Sequence, residues 1–343
     1  MRRAEKQLDE VLAWRLLARA SHVHLAGTTA AGEPVIRALH HVVHDGALWF
    51  HSAPKGEKLE LVGRPVVASV VEDLGRVPSY ATHPERACPA TTWFRSAQVH
   101  GVLEEEHDPI RKAAALQALM ERLQPEGGYR PITADERMYR GAVRGLAVLR
   151  LRGRIVGKHS LGQHKPLADR ERIATALWHR GEPGDAALIA AMLAASPEPL
   201  DLPFLRGPAG VRLRCHLDEA DVDGAVALLR GTYWSTERTD AEIAATQLSS
   251  PAWVGAEDAH GLCGTARAVS DGIRYAWIGD VCVREDRRRE GIGRALMNLL
   301  LAHPAVRKVR RVVLATRTPE VYVGHGFVEA KGAPGRVEME RVR

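Results

Sequence analysis

A strand pattern that leads into two glycines and then into a helix pattern constrains this chain more than any other feature. Residues 275–283 are apolar enough to form a buried strand, and Gly291 and Gly293 fall where the next helix would begin. The apolar residues that recur at helical spacing before Pro304 are Ile292, Ala295, Leu296, Leu299 and Leu300. Glycine lets backbone amides approach a ligand closely, and a helix start carries partial positive charge. The junction predicts a pyrophosphate site; the alternative is a solvated charged turn.

The glycine segment lacks the marks of two other phosphate loops. No Gly-Lys-Ser/Thr sequence follows it, as a P-loop needs, and no Gly-x-Gly-x-x-Gly opens a βαβ unit. Arg288, Gly291 and Gly293 instead match the Arg/Gln-x-x-Gly-x-Gly/Ala pattern, and residues 211–343 resemble the GNAT (GCN5-related N-acetyltransferase) family. The resemblance implies that acetyl-CoA is the cofactor. It assigns acetyl-CoA contacts to Val281, Val283, Arg288, Arg289, Gly291, Ile292, Gly293, Arg294 and Ala295.

The neighbouring segments follow the order that this α+β family requires. Strands are predicted over residues 211–215, 251–256, 262–269 and 311–316, and a helix is predicted over 221–229. Thr239 and Glu242 have the spacing of a capping box at the start of a second helix. Asp271 and Gly272 form a turn signal before the strand at 275–283, which predicts a hairpin.

Tyr322 is a candidate catalytic residue. Residues 322–327 resemble the Tyr-x-x-x-Gly-Phe signature of the GNAT family, and the resemblance implies that Tyr322 protonates the departing thiolate of coenzyme A. A phenol with an ordinary pKa near 10 suits that step. The alternative is a tyrosine that packs beside Phe327.

The attacking amine must be neutral, so the reaction needs a base or a proton path to water. Asp280, on the strand at 275–283, is the first candidate, directly or through water. The alternative is a strand carboxylate that orients a neighbouring loop. Glu237 and His260 are weaker candidates.

The acetyl acceptor is expected to be a small-molecule amine that the sequence does not identify. The segment Tyr233-Trp234 would line its pocket. Trp234 and Trp253 could form an apolar or cation-binding wall, or they could belong to the core.

The chain contains 343 residues, which is enough for two domains. Residues 196–210 are rich in proline and glycine, as linkers are. We therefore predict one domain at 1–195, a linker at 196–210 and a second domain at 211–343.

The N-terminal half has the pattern of several short strands with a few helices. Strands are predicted over residues 23–28, 35–43, 47–51, 66–71, 96–103 and 146–151, and helices over 8–20 and from Asp108 onward. This pattern predicts a small, mainly antiparallel β barrel.

Four loose motifs in this half resemble one family. They are residues 46–53, 56–59, 91–96 with Gly101, and 157–160 with Gln163, and together they resemble the pyridoxamine 5′-phosphate oxidase-like split barrels, nearest to the nitroimidazole-resistance reductases. The resemblance implies a homodimer that binds FMN, with another flavin or haem as the alternative. It assigns FMN contacts to Arg37, His51, Ser52, Lys58, Ser96 and Lys158.

The barrel departs from the true oxidases at one motif. Gly56-Glu57-Lys58 stands where those enzymes have Ser-Arg-Lys, so oxidation of pyridoxamine phosphate is not expected. Lys58 has the alternative of being an ordinary exposed lysine. The barrel is therefore either a reductase or a flavin or haem module that senses or dimerises without turnover.

The remaining composition bears on partners and location. Twelve of the sixteen histidines precede residue 180. His40 and His41 are consecutive, so their side chains would point to opposite faces of a strand, and no metal site is predicted.

The four cysteines stand alone in the sequence, and no apolar stretch approaches the ~18 residues of a membrane span. A soluble cytoplasmic protein is therefore expected.

The net charge of +6 does not by itself indicate nucleic-acid binding, because 42 acidic residues are interspersed with the basic ones. The densest basic runs, 287–289 and 307–311, are expected to flank the coenzyme A site.

Overall fold

The computed structural model describes residues 4–208, 210–330 and 337–342. Contacts divide the chain into two compact units. Unit 1 is Met1–Asp73 with Trp93–Ser160, and unit 2 is Leu74–Thr92 with Leu161–Arg343. Residues 161–195 thus group with unit 2 by contacts, whereas the sequence pattern placed them in the first domain. The boundary at 196–210 remains a prediction about folding domains.

Unit 1 contains one sheet and three helices. The helices are α1 (Glu10–Arg19), α2 (Pro109–Leu123) and α3 (Arg140–Gly145). The strands are β1 (Gln7–Leu8), β2 (Val23–Thr28), β3 (Pro34–Leu39), β4 (Val42–His44), β5 (Ala47–Ser52), β6 (Pro65–Val77), β7 (Thr91–Glu106) and β8 (Ala147–Ser160). They form an eight-stranded sheet in the order β3-β2-β6-β7-β8-β5-β4, with β1 beside β8.

The long strand β8 organises this sheet. It pairs antiparallel with β7 over its whole length, and with β5 and β1 along its other edge. Gly101 and Gly153 face each other in the β7–β8 pair, and a Cβ at Gly153 would lie only 2.0 Å from the carbonyl oxygen of His100. Glycine at this pair therefore lets the two strands approach closely. The predicted N-terminal fold, a mainly antiparallel β split barrel with helices, is confirmed.

Unit 2 is an α+β unit. Its helices are α4 (Leu167–Arg180), α5 (Asp185–Ala195), α6 (Val222–Leu229), α7 (Asp240–Leu248), α8 (Ile292–Ala302) and α9 (Glu320–Val323). Its strands are β9 (Arg212–Arg214), β10 (Ala252–Asp258), β11 (Gly261–Ser270), β12 (Tyr275–Val283), β13 (Arg311–Thr316), β14 (Val328–Ala330) and β15 (Val337–Val342). The sheet order is β14-β15-β13-β12-β11-β10-β9, so the predicted GNAT-like fold is confirmed.

Local sequence signals explain how the helices of unit 2 begin and pack. Thr239 and Glu242 form the predicted reciprocal capping box at the start of α7. Helix α8 buries one apolar face, which consists of Ile292, Leu296, Met297, Leu299 and Leu300. Among the described residues, no helix has the length and apolar content needed to cross a membrane.

Candidate functional site

The central opening of unit 2 arises where two neighbouring strands separate. Strands β12 and β13 are parallel, and they pair only from Tyr275 to Trp277 on β12 and from Arg311 to Val313 on β13. Beyond that point β13 continues to pair with β15, while the edge of β12 that carries Val281 and Val283 has no register partner on β13. The unpaired edge offers backbone donors and acceptors to an extended ligand.

A bulge in β12 turns its last residues. Arg267 pairs with Gly279, and Thr265 pairs with Cys282, so β12 has one residue more than β11 between these pairs. Asp280 lies in the bulge with φ of 53°, a left-handed conformation that is unusual outside glycine. The bulge therefore fixes how the free end of β12 faces the opening.

Buried donors occupy the Asp280 carboxylate. Its Oδ2 accepts hydrogen bonds from Arg267 Nε at 2.6 Å and Gln247 Nε2 at 2.7 Å, and its Oδ1 accepts one from Arg238 Nη1 at 3.1 Å. Burial alone would raise the pKa of Asp280, but the two arginines outweigh it and leave the pKa below its ordinary value. This geometry favours an orienting role for Asp280 over the role of general base.

The glycine loop between β12 and α8 has the backbone of an anion site. Arg289 and Gly291 both have positive φ, 66° and 85°. No side chain caps α8, so the first-turn amides of Ile292 and Gly293 have no protein acceptor at the cap. A Cβ on Gly293 would meet only Val283 Cγ2, at 3.7 Å, so the protein itself leaves the space above this residue open. The loop can receive a phosphate on free amides at the positive end of a helix dipole.

Two arginines fix the glycine loop in place through ion pairs with Asp258. Arg284 Nη2 and Arg287 Nη1 reach Asp258 Oδ2 at 2.7 and 2.5 Å, and the Asp258 side chain is only 3% exposed. Arg284 and Arg287 hold the pKa of Asp258 far below its usual range, with the His260 amide as a further donor. Sequence reasoning missed Asp258, because a carboxylate at the end of a strand has no local signature.

Three other arginines remain for a ligand. Arg288, Arg289 and Arg294 are exposed, and none forms an ion pair within the described part of the chain. The basic run at 307–311 does not flank the loop as expected: Arg311 pairs with Tyr275, at the opposite end of β12, and forms an ion pair with Glu340.

Tyr322 lies at the far side of the opening. It is in α9, its ring meets that of Phe327 edge-on at 6.1 Å, and Thr316 at the end of β13 interacts with its hydroxyl. Burial and the nearby Tyr233 phenol raise the pKa of Tyr322 above its ordinary value, and the Thr316 hydroxyl only partly opposes this. The hydroxyl is protonated at neutral pH, as any tyrosine of ordinary pKa would be, and the raised pKa makes it a weaker acid.

The predicted pocket segment Tyr233-Trp234 is divided between the opening and the core. Arg317 lies over the ring of Tyr233, with its guanidinium carbon 3.9 Å from the ring centroid. Trp234 packs instead in a core cluster with Leu229 and Cys282. Sequence reasoning had no signal for Arg317, because its stacking depends on how two distant loops meet.

Of the other candidates from the sequence, one belongs to the core and two are exposed. Trp253 is buried and donates to the Thr265 hydroxyl at 2.9 Å, which makes it a core residue. Glu237 is exposed, and His260 is exposed in the turn between β10 and β11.

Four of the predicted flavin residues lie close together in unit 1. His51 and Ser52 end β5, and Lys58 follows in a short 3₁₀ turn. Burial, together with His40 and Lys58, lowers the pKa of His51. This electrostatic effect indicates that His40, His51 and Lys58 lie near one another. Arg37 forms an ion pair with Glu57 beside them. This cluster fits a phosphate at Lys58, although Ser52 already donates to the Ala53 carbonyl at 2.7 Å.

The other two predicted flavin residues lie elsewhere on the sheet. Ser96 and Lys158 face each other across β7 and β8. His51 pairs with Val148, ten positions along β8 from Lys158, which is roughly 30 Å of extended strand. One chain therefore does not bring the six residues into a single site.

The histidines do not form a metal centre. His41 is buried and its Nε2 contacts the Leu17 carbonyl at 2.7 Å, whereas the His40 ring packs against the His22 ring in a tilted arrangement. His40 and His41 lie between β3 and β4 rather than within one strand as predicted. Within the described ranges, no group of three or more His, Cys, Asp or Glu residues could hold a metal ion.

Comparison with protein families finds two matches in separate segments of the chain. Residues 9–155 match the model of the pyridoxamine 5′-phosphate oxidase family, and residues 249–329 match the model of the acetyltransferase (GNAT) domain. Among curated proteins, none matches the chain.

Solved structures similar to parts of the chain cover either half. A candidate 5-nitroimidazole antibiotic resistance protein from Bacteroides thetaiotaomicron VPI-5482 is 21% identical over 44% of this chain and 84% of its own, with a TM-score of 0.35. An FAD and heme binding protein from Mycobacterium smegmatis is 22% identical over 45% and 72%, with a TM-score of 0.38. An aminoglycoside 6′-acetyltransferase type Ii is 22% identical over 38% and 96%, with a TM-score of 0.34.

Proposed function

We propose that this chain, which carries a pyridoxamine oxidase-like domain and a GNAT domain, is an acetyl-CoA-dependent N-acetyltransferase fused to a flavin-binding barrel. The observation that carries the proposal is the alignment of three features around one opening. These are the free edge of β12, the uncapped start of α8 and the half-buried Tyr322, whose hydroxyl interacts with Thr316.

Each feature has a separate task in this reaction. The amides after Arg288 would bind the pyrophosphate of acetyl-CoA, and Arg288, Arg289 and Arg294 would add positive charge. The backbone at Val281 and Val283 would hydrogen-bond the amide-rich arm of the cofactor. Binding along the strand edge would direct the thioester toward the opening between β12 and β13.

Tyr322 would donate its proton to the departing thiolate. The contact of its hydroxyl with Thr316, at the end of β13, supports this role. The raised pKa makes the phenol a weaker acid than an ordinary tyrosine, so the role depends on its position beside the thiolate. For Asp280 we propose the orienting role. Its oxygens already accept three strong hydrogen bonds, so the amine would lose its proton to water rather than to this carboxylate.

Two measurements test the transferase. Calorimetry should show that acetyl-CoA binds the full chain, and mass spectrometry should find acetylated product in a panel of small amines. A folded protein that binds no acetyl-CoA would reject the proposal.

For the barrel we propose a homodimer that binds FMN in two copies of one composite site. The cluster around Lys58 fits a phosphate, and Ser96 with Lys158 would come from the partner chain, because one chain holds the two sets apart. A flavin spectrum after reconstitution tests binding, and NADPH oxidation tests turnover. Binding without turnover would favour a sensor or dimerisation module, and a haem spectrum would replace the flavin.

A further inference from the structure

Arg317 presents an ordered cation at the acceptor side of the opening. It directly follows Thr316, the last residue of β13, whose side chain is buried and whose hydroxyl accepts the Thr318 amide at 3.0 Å. Thr316 also interacts with the hydroxyl of Tyr322, the proposed proton donor. The backbone that carries Arg317 is therefore anchored beside the reacting groups.

The Arg317 side chain is held by stacking rather than by an acid. Its guanidinium carbon lies 3.9 Å from the centroid of the Tyr233 ring, well within the range of a cation–π contact. Arg317 makes no ion pair in the described residues, whereas Arg238, Arg267, Arg284 and Arg287 each pair with an aspartate. Stacking orders the guanidinium plane and leaves its donor edge free.

We propose that Arg317, stacked on Tyr233, selects an acceptor amine that also carries an oxyanion, a carboxylate or a phosphate. The free fork of an arginine matches both groups with two parallel hydrogen bonds. The inference rests on the proposed acetyltransferase function and specifies its substrate class.

The chemical step is an ordinary acyl transfer. The amine nitrogen forms a bond to the acetyl carbon and releases one proton to water. The carbon–sulfur bond breaks, the thiolate gains a proton from Tyr322, and water returns a proton to Tyr322. Arg317 takes no part in these changes. Its task is to hold the anionic group so that the amine faces the thioester, which makes it a specificity residue.

Matched acceptors test the proposal on the full chain. The pairs are phenylalanine against phenethylamine and phosphoethanolamine against ethanolamine, which separate carboxylate from phosphate. The wild type should acetylate at least one anionic member roughly tenfold or more better in kcat/KM than its neutral partner, as expected for a charge-assisted contact. Arg317→Gln should remove this preference mainly through KM, and Arg317→Lys should restore part of it.

Arg274→Gln is the matched control. Arg274 also lies over a tyrosine, with its guanidinium carbon 5.5 Å from the Tyr275 ring centroid, but at the opposite end of β12. This variant should keep the preference. Acetyl-CoA affinity should be unchanged in all three variants, because Arg317 is outside the glycine loop.

Three results would overturn the inference. The first is a higher kcat/KM for the neutral amines than for the anionic ones. The second is that a protein that binds acetyl-CoA acetylates no member of the panel. The third is that Arg317→Gln lowers kcat/KM equally for both members of a pair. All three leave the acetyltransferase proposal standing. Absence of acetyl-CoA binding rejects that proposal and the inference with it.

Discussion

Single residues at this site owe their chemistry to what surrounds them. Tyr322 and Asp280 were both predicted from the sequence as catalytic, and the structure places them in different electrostatic settings. Burial raises the pKa of the Tyr322 phenol, which is protonated. Two arginines keep the carboxylate of Asp280 ionised and donate hydrogen bonds to its oxygens. The sequence shows which groups can titrate, but the partners of Asp280 come from three other elements. Its role could not be predicted from the strand that carries it.

Tyr322→Phe should lower kcat roughly 10²–10⁴-fold, the usual contribution of a general acid, while acetyl-CoA affinity stays nearly the same. Both quantities are to be measured on the same preparation with the best amine. Tyr275→Phe, which alters an exposed tyrosine at the other end of β12, is the control and should keep full activity. Full kcat in Tyr322→Phe would mean that another group or water protonates the thiolate.

His41 should make unit 1 sensitive to acid. Burial lowers its pKa from 6.5 to about 4, so the unfolded chain takes up this proton at a higher pH than the folded one. The contribution of His41 to the free energy of unfolding is fully present above pH 6.5 and is lost as the pH falls toward 4. Between pH 7 and pH 5 the loss is about 2 kcal/mol.

Denaturant unfolding of wild type and His41→Gln at both pH values checks this expectation. Glutamine can still donate to the Leu17 carbonyl, so the variant should fold and show a smaller loss between the two pH values. His107→Gln, at an exposed position, should behave like the wild type. Equal pH dependence in all three proteins would contradict the prediction.

Whole elements were predictable where one strong local signal defines them. The strand at 275–283 and the strand at 311–316 have the predicted bounds, because apolar runs end at charged residues or turn signals. The segment 35–43 was predicted as one strand and is divided into β3 and β4 by His40 and His41. Burial of His41 against Leu17 competes with strand pairing there, and no local pattern shows this. The parting of β12 from β13 likewise depends on pairing partners and not on propensity.

Gly293→Ala should weaken acetyl-CoA binding at least tenfold without loss of stability. Gly293 has no positive φ, and an added methyl would meet only Val283 at an ordinary distance, so a loss of affinity would arise from the ligand side. Gly291 is a poorer test, because its φ of 85° makes any side chain there strained.

Gly141→Ala provides the matched control for Gly293→Ala. Gly141 is also the second residue of its helix, and a Cβ there would meet open space. Calorimetry with acetyl-CoA and thermal unfolding should be run on both variants. Unchanged affinity in Gly293→Ala would show that the ligand does not approach this backbone.

At the scale of the whole molecule, the sequence predicted both fold classes but not how the segments group. Helices α4 and α5 had no predicted counterpart, and they belong by contacts to unit 2. Arg307 donates to the carbonyl oxygens of Trp178 and His179, and the Trp178 ring stacks on Phe204 at 4.6 Å. Such long-range contacts leave no periodic residue pattern in the sequence from which they could be predicted. For the same reason, the six flavin residues could be named from motifs, yet their division into two sets could not.

The proposed division of the flavin site between two chains leads to a complementation experiment. Lys58→Ala and Lys158→Ala should each lose at least tenfold in FMN affinity, because each removes a charge-assisted contact worth about 1.5–3 kcal/mol. Lys55→Ala, three positions before Lys58 and exposed, is the control and should bind FMN normally.

When the two weak variants are co-expressed, mixed dimers should regain one intact site, formed by Lys58 of one chain and Lys158 of the other. Random pairing would restore about a quarter of all sites, which a flavin absorbance titration can detect. A site built within one chain predicts no recovery, because every chain then carries one defect. Light scattering on the same samples must show a dimer, since a monomer that binds FMN at full affinity would exclude the composite site.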